Sequence, residues 1–410
     1  MERFTGIIGV LLILGIAFLF SNNKRRIDKR LVLSGMALQI GIALLVLKVP
    51  LLNQFFQGMG RGMQKLESFA KEGAAFVYGG LGVIDANGQA ANYGAAHVFV
   101  FAFNITATVI LLCVLVAILY HLRVMQFIVS IVAKLMNKVM RVSGAEALSN
   151  AASAFVGQVE AQVMIRAYLP TMTQSELLAS MSGSLACISG SILVVYANMG
   201  VRPDLLIAAS LMAAPGALVI SKIIFPETEV SPTMGKVRLD VKSEYSNLVD
   251  AISHGAADGF KISMNMIAML IGFIALIAMV NWTLGYIHHG LSLDVIFGTL
   301  FYPFAWAMGI PASDVHNAAT LLGQKLTINE FVAYKSLTNG HVPVVTPKGL
   351  TIVTIAICGF ANFSSIGMQI GGIGSIAPER RTDLAKLGLR ALLCGTLASY
   401  LSATIAGILL

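Results

Sequence analysis

Apolar residues fill most of residues 5–20, 31–47, 97–120, 178–199, 205–220 and 262–286, with polar clusters between the runs. A helix needs about 20 such residues to cross roughly 30 Å of hydrocarbon, so these runs predict spanning helices 1 to 6. Residues 51–72 follow another pattern. There Leu52, Phe55, Phe56, Met59, Met63, Leu66 and Phe69 recur at threes and fours, opposite Gln57, Arg61, Gln64, Lys65 and Lys71. That period predicts an amphipathic helix lying in the membrane interface.

Several apolar stretches are interrupted midway. In residues 145–169, Gly157 breaks the pattern and Pro170 ends it, leaving halves at 145–156 and 163–169 that are each too short to span. This predicts a re-entrant hairpin with Gly157-Gln158-Val159-Glu160-Ala161-Gln162 at its tip, where freed backbone groups must line a cavity or be buried in protein. A carboxyl at that depth is costly, which makes Glu160 a functional candidate; the bland alternative is a paired buried carboxylate that only packs. Helix 4 is broken by Cys187-Ile188-Ser189-Gly190-Ser191, which close packing alone could also explain. A second broken segment runs through 295–310, Pro311-Ala312-Ser313-Asp314 and 317–334, and helix 7 holds Gly359-Phe360-Ala361-Asn362-Phe363-Ser364-Ser365-Ile366-Gly367. Helix 8 closes the chain.

The order broken hairpin, broken helix, plain helix therefore occurs twice, over 145–220 and 295–410. Asp204 precedes Gly216 by the same twelve residues that separate Asp383 from Gly395. The turn before the last helix is expected outside in the first copy and inside in the second, so the repeats are inverted. Inverted repeats with discontinuous helices and polar groups at the midplane predict a secondary transporter. A channel would show pore-lining rings on continuous helices instead.

Composition agrees with membrane residence. Of 410 residues, 57% are hydrophobic and 12% charged, with a mean hydropathy of +0.80; soluble domains have roughly a quarter of their residues charged. The net charge of +8 does not point to nucleic acid, because the cations cluster in short loops such as Asn23-Lys24-Arg25-Arg26-Ile27-Asp28-Lys29-Arg30. That loop is expected in the cytoplasm, which puts both termini outside a bacterial inner membrane. The first apolar run has no small-residue cleavage site after it and is expected to stay as helix 1. Cys113, Cys187, Cys358 and Cys394 lie in separate runs without metal-site spacing. No nucleophile, base and orienting group recur together, so an enzyme is not expected.

Gly157-Gln158-Val159-Glu160-Ala161, Lys325-Leu326-Thr327-Ile328-Asn329-Glu330-Phe331-Val332-Ala333-Tyr334 and Gly359-Phe360-Ala361-Asn362-Phe363-Ser364-Ser365-Ile366 resemble the concentrative nucleoside transporter family. The second run fits that family's signature of Lys, three residues, then Asn-Glu-Phe-Val-Ala-Tyr. The likeness covers essentially the whole chain. It implies an all-α polytopic protein with eight transmembrane helices and two re-entrant hairpins, assembled as a homotrimer. It also implies an elevator in which the repeats move against a scaffold. The expected units are scaffold helices 1–3 with the interfacial helix (1–144), first repeat (145–222), cytoplasmic loop and scaffold helix 6 (223–292), and second repeat (293–410). The implied activity is symport of a nucleoside with a cation, without any cofactor. Implied base contacts are Gln158 and Glu160, with Ile192 beside them; Phe360 packs on the nucleoside, and Asn362 and Ser365 hold the ribose. Asn329 and Glu330 are expected to support the second hairpin.

This sequence departs from the family pattern at three implied positions. Thr320 stands where the family has a glutamate for the ribose hydroxyls. The implied sodium site comprises Ser153, Val156, Cys187 and Ile188, but the family has asparagine at the first and serine at the third, and a thiol is a poor sodium ligand. Sodium binding is therefore expected to be weak, or the coupling ion is a proton, for which a desolvated Glu160 is the natural carrier. Gln162 also stands where relatives tend to have a proline. Other readings consistent with the sequence are a carrier of another small solute such as a free nucleobase, and a nucleoside-binding variant that has lost transport.

Overall fold

The computed structural model describes residues 2–78, 101–234 and 245–410; the expected start of helix 3 at His97 and part of the loop after residue 225 fall outside them. The chain opens with α1 (Glu2–Leu19) and α2 (Lys29–Lys48). Between them the basic loop ends at Asp28, whose carboxylate accepts from Arg30 N at 2.8 Å and Leu31 N at 3.3 Å, which sets the start of α2. The amphipathic stretch forms one helix, α3 (Pro50–Tyr78). Next come α4 (Phe101–His121) and α5 (Val124–Met140), meeting at a 75° bend beside Arg123. Arg123 and Arg141, both with left-handed backbone (φ 63° and 55°), bound α5 at its two ends.

The first hairpin consists of α6 (Gly144–Ser153) and the single turn α7 (Glu160–Val163). The broken helix after it is α8 (Gln174–Ala186) and α9 (Gly190–Asn198), and α10 (Pro203–Ile224) follows. Helix α6 and α8 both begin with capping boxes, Ser143 with Glu146 and Thr173 with Glu176. Behind them Lys222 forms a buried ion pair with Glu146 and bonds Glu227 at 3.2 Å.

The long helix α11 (Leu248–Ile287) packs along α4. Gly255 and Gly259 make this possible, since a Cβ on either would meet the α4 backbone near Ile110 and Cys113. The second half of the chain then comprises α12 (Leu293–Leu300), α13 (Tyr302–Ala307), α14 (Val315–Thr327), α15 (Glu330–Thr338), α16 (Pro347–Ile357), α17 (Phe363–Ile376) and α18 (Arg381–Leu409).

The packing partners reveal the repeat. Helix α5 lies on α6 as α12 and α13 lie on α14; α6 packs on α8 as α14 packs on α16; α8 packs on α10 as α16 packs on α18. Helices α10 and α18 pack on each other at the centre. By this pairing α5, which precedes the expected first repeat at 145, corresponds to α12 and α13, which open the expected second repeat at 293.

Four expectations change. The second hairpin turns at Ile328 and Asn329, between α14 and α15; Pro311-Ala312-Ser313-Asp314 is the turn before its first arm. The return arm of the first hairpin is one helical turn followed by looser turns, because Pro170 and the short apolar run cannot sustain a helix over 163–169. Helix α11 begins fourteen residues before residue 262, at Leu248. Helix α5 lies outside the runs expected to be helical and has Val129, Ala133, Met136 and Met140 buried. Among the described residues, α2, α10 and Pro378–Leu409 are each long and apolar enough to cross a bilayer unbroken.

Candidate functional site

The two broken helices cross at their breaks. Helix α8 ends at Cys187 and α16 at Cys358, and Phe360 N donates to Cys187 O at 3.3 Å. Gly359 permits the crossing: its φ is +107°, and a Cβ there would run into the Ala186 carbonyl. Beyond the breaks, Ser189 caps α9 by accepting from Ile192 N at 3.4 Å, and Asn362 caps α17 by accepting from Ser365 N at 2.9 Å. Two helix N-termini, with their unpaired N–H groups and positive dipole ends, thus begin at the crossing.

Both hairpin tips place a glutamate at the first residue of the return arm, Glu160 in α7 and Glu330 in α15. The first tip is joined to the α9 end of the break by Gly190 N donating to Phe155 O at 3.1 Å. It also reaches α17, where Gln158 Nε2 meets Met368 Sδ at 3.6 Å; Gln158 Oε1 is buried with no partner among the described residues. The Glu160 side chain folds over Gly157, where a Cβ would collide with the carboxyl group. It is exposed to a cleft lined by Cys113, Tyr120, Tyr245 and Asp258 across from the tip.

At the second tip, Glu330 accepts from Tyr196 Oη at 2.9 Å and from Asn362 Nδ2 at 3.0 Å. Asn362 Oδ1 is already engaged by Ser365 N and by Ser364 Oγ at 2.7 Å, so its amide orientation is fixed. Ser365 Oγ is buried and has no partner among the described residues. Lys325, at the end of α14, is also fully buried without a hydrogen-bond partner among them, and Glu330 is the acid whose charge acts on it. One side of the crossing thus presents an amide and a carboxylate suited to an edge with both donors and acceptors, and the other a carboxylate, an amide and a free hydroxyl suited to vicinal hydroxyls.

Gln158, Glu160, Ile192, Phe360, Asn362 and Ser365 all lie at the hairpin tip or the breaks. Thr320 does not. Its hydroxyl is directed to Asp294 O at 3.2 Å and His316 O at 3.1 Å, facing α12. Thr320 sits within α14, before the break, and Glu330 occupies the place beside Asn362 instead. Glu330 therefore stands among the candidate site residues as well as tying the hairpin tip to Tyr196 and Asn362, and Asn329 caps α15, accepting from Val332 N at 2.9 Å. The matching position of Glu160 and Glu330, each the first residue of its hairpin's return arm, is the signal for this.

The expected cation ligands come together, but their side chains are engaged. Ser153 Oγ donates to Ser149 O at 2.8 Å and lies 3.0 Å from Ser184 Oγ. Cys187 Sγ is directed to Ser210 O at 3.5 Å, and Ser210 Oγ lies 3.1 Å from Ala154 O and 3.4 Å from Ile188 O. Cys187 offers sulfur where a sodium ion takes oxygen ligands, and the Ser153 hydroxyl is already in two hydrogen bonds.

Three family models match: "Na+ dependent nucleoside transporter N-terminus" over residues 8–81, "Nucleoside recognition" over 102–202, and "Na+ dependent nucleoside transporter C-terminus" over 205–407. The chain is 37% identical to the nucleoside permease NupC of Helicobacter pylori, covering 98% of this chain and 96% of that protein. It is 35% identical to sodium/nucleoside cotransporter 2 of Mus musculus, with all of this chain and 63% of that protein covered. Its fold is similar to that of CNTnw in an inward-facing substrate-bound state, with a TM-score of 0.91, 36% identity, and coverage of 100% of this chain and 98% of that one.

Proposed function

This chain belongs to the Na+-dependent, or concentrative, nucleoside transporter family, and from that premise we propose that it takes up nucleosides across the bacterial inner membrane by proton symport. The observation that carries this reading is the pair of hairpin glutamates at the crossing of two broken helices, each with amide or hydroxyl neighbours. Gln158 and Glu160 read the base edge, while Ile192 and Phe360 pack against the base or sugar. Glu330, Asn362 and Ser365 hold the ribose hydroxyls, a carboxylate being able to accept from two neighbouring hydroxyls at once.

A proton suits the coupling better than sodium because Cys187 offers sulfur where sodium takes oxygen and the Ser153 hydroxyl is already in two hydrogen bonds. Glu160 is the carrier, standing beside the substrate and open to the cleft. The body that moves comprises the two repeats, and the static part is α1–α4 with α11, across whose face the cleft opens. The large exposed side chains of α11, among them Ile271, Met279, Trp282 and Ile287, suit contact with lipid or with neighbouring subunits of a homotrimer.

Labelled-uridine uptake into proteoliposomes, with pH and sodium gradients imposed separately, tests this. Accumulation is expected with an inward proton gradient and no sodium. Accumulation that requires sodium refutes the coupling ion, and no specific uptake under either gradient refutes the transport reading.

A further inference from the structure

Behind the tip of the first hairpin, four serine hydroxyls and one glutamine amide form a closed, fully buried cluster that the substrate site does not include. Ser149 and Ser153 are one turn apart on α6, Ser180 and Ser184 one turn apart on α8, and Gln162 lies on the return arm between them. Gln162 Nε2 donates to Ser184 Oγ at 2.8 Å and to Ser149 Oγ at 3.2 Å, and Gln162 Oε1 accepts from Ser180 Oγ at 2.6 Å. Ser149 and Ser180 Oγ are 2.5 Å apart.

Only one arrangement of protons satisfies all of these contacts. Ser180 donates to Gln162, so Ser149 must donate to Ser180. Ser153 donates to Ser149 O, so Ser184 must donate to Ser153. Every hydroxyl proton and both amide protons are then engaged within the cluster, which therefore fastens α6, α7 and α8 together.

What it fastens is the weakest segment of the repeat. Helix α7 is a single turn and the residues around it hold only local turn bonds, so its backbone alone cannot fix where the tip stands. Gln162 is the polar side chain of α7 that ties the return arm both to α6 and to α8, two residues after Glu160 and four after Gln158. The ribose side is held separately, through Asn362, Glu330 and Tyr196.

We propose that Gln162 is a positioning residue for base recognition: through Ser149, Ser180 and Ser184 it sets the place of Gln158 and Glu160 without touching the substrate. This rests on the reading of Gln158 and Glu160 as the base-reading pair. The test is equilibrium binding to the purified full-length protein of uridine, 3-deazauridine, which lacks the base N3–H, and 2′-deoxyuridine. Gln162→Leu should weaken uridine about tenfold, the scale of losing one or two hydrogen bonds. It should bring the uridine-to-3-deazauridine ratio close to one and leave the uridine-to-2′-deoxyuridine ratio unchanged. Both ratios collapsing together would show general loosening, and neither changing would show no positioning role; either result overturns the proposal. If Gln162→Leu does not fold, Ser184→Ala removes one acceptor of the amide and should shift the base ratio alone, by about threefold; an unchanged ratio there overturns the proposal too. Wild-type protein that fails to distinguish uridine from 3-deazauridine would refute the base-reading pair itself.

Discussion

Glu330→Gln separates the two positions that compete for the ribose. In the wild-type protein both carboxylate oxygens accept, one from Tyr196 Oη at 2.9 Å and one from Asn362 Nδ2 at 3.0 Å. An amide in the same place has one oxygen and one NH2. The oxygen must then stay toward Asn362, which cannot turn its own amide without losing the bonds from Ser365 N and Ser364 Oγ, and the NH2 faces Tyr196 Oη, whose oxygen can accept. The substitution therefore removes a charge-assisted acceptor for the sugar and takes from the Tyr196 hydroxyl proton its acceptor. A hydrogen bond to a charged group contributes about 1.5–3 kcal/mol, so uridine affinity should fall between about 10-fold and 100-fold. 2′-Deoxyuridine has one hydroxyl fewer to lose and should weaken less, shrinking the ratio between the two. Calorimetric titration of both ligands into purified protein measures this, with Thr320→Ala as the control. Thr320→Ala should leave the ratio where it was, since its hydroxyl bonds only Asp294 O and His316 O. A ratio that survives Glu330→Gln but falls in Thr320→Ala would mean that the sugar faces α12, and the placement of the ribose beside Asn362 would be wrong.

Glu160→Gln should abolish accumulation driven by a pH gradient while the protein elutes as the wild-type oligomer; near-normal accumulation in proteoliposomes would exclude Glu160 as the carrier. Gly157→Ala should reproduce that defect, because the added Cβ would collide with the Glu160 carboxyl group; uptake kinetics like those of the wild type would show that the carboxyl group does not need its observed position. Lys222→Met leaves Glu146 buried without its ion-pair partner and should cost about 3–5 kcal/mol of stability, read as a lower thermal unfolding midpoint in detergent; an unchanged midpoint would show that Glu146 does not depend on Lys222.

The parts of this fold that could be read from the sequence are those where a residue contradicts its apolar surroundings. Gly157, Cys187 to Ser191 and Gly359 to Asn362 each interrupt a hydrophobic run, and each marks a real break. Breaks made by side-chain capping are harder to see. The turn at Ile328 and Asn329 contains neither glycine nor proline, and it is Asn329 accepting from Val332 N that ends one helix and starts the next. Pro311, a stronger signal, marks a mere connection. The resemblance placed the ribose contact at Thr320, whereas it is Glu330 that stands beside Asn362. The early part of α11 was obscured for a different reason: Ser253, His254 and Asp258 give it a loop-like composition, although Gly255 and Gly259 show the small-residue spacing that lets α4 approach.

The inverted repeat also explains an asymmetry that no single segment displays. Arg380, in the turn before α18, is buried and its Nη1 donates to Leu169 O at 3.1 Å, Pro170 O at 3.2 Å and Met172 O at 2.7 Å. These are the last carbonyls of the first hairpin's return arm, so the second repeat clamps the base of the first hairpin. The counterpart turn before α10 has Arg202, which is 56% exposed and paired with Asp204. Where a clamp would lie there is instead a cavity of about 400 Å³ lined by Arg202, Leu337, Thr338 and Val344, at the base of the second hairpin. Equivalent positions in the two repeats thus hold their hairpins differently. The first hairpin, with Gln158 and Glu160 at its tip, is fixed at its base by Arg380 and behind its tip by Gln162, whereas the second is held at its tip through Glu330 and Asn362. Loosening the ribose contacts should therefore free the second hairpin while leaving the first in register.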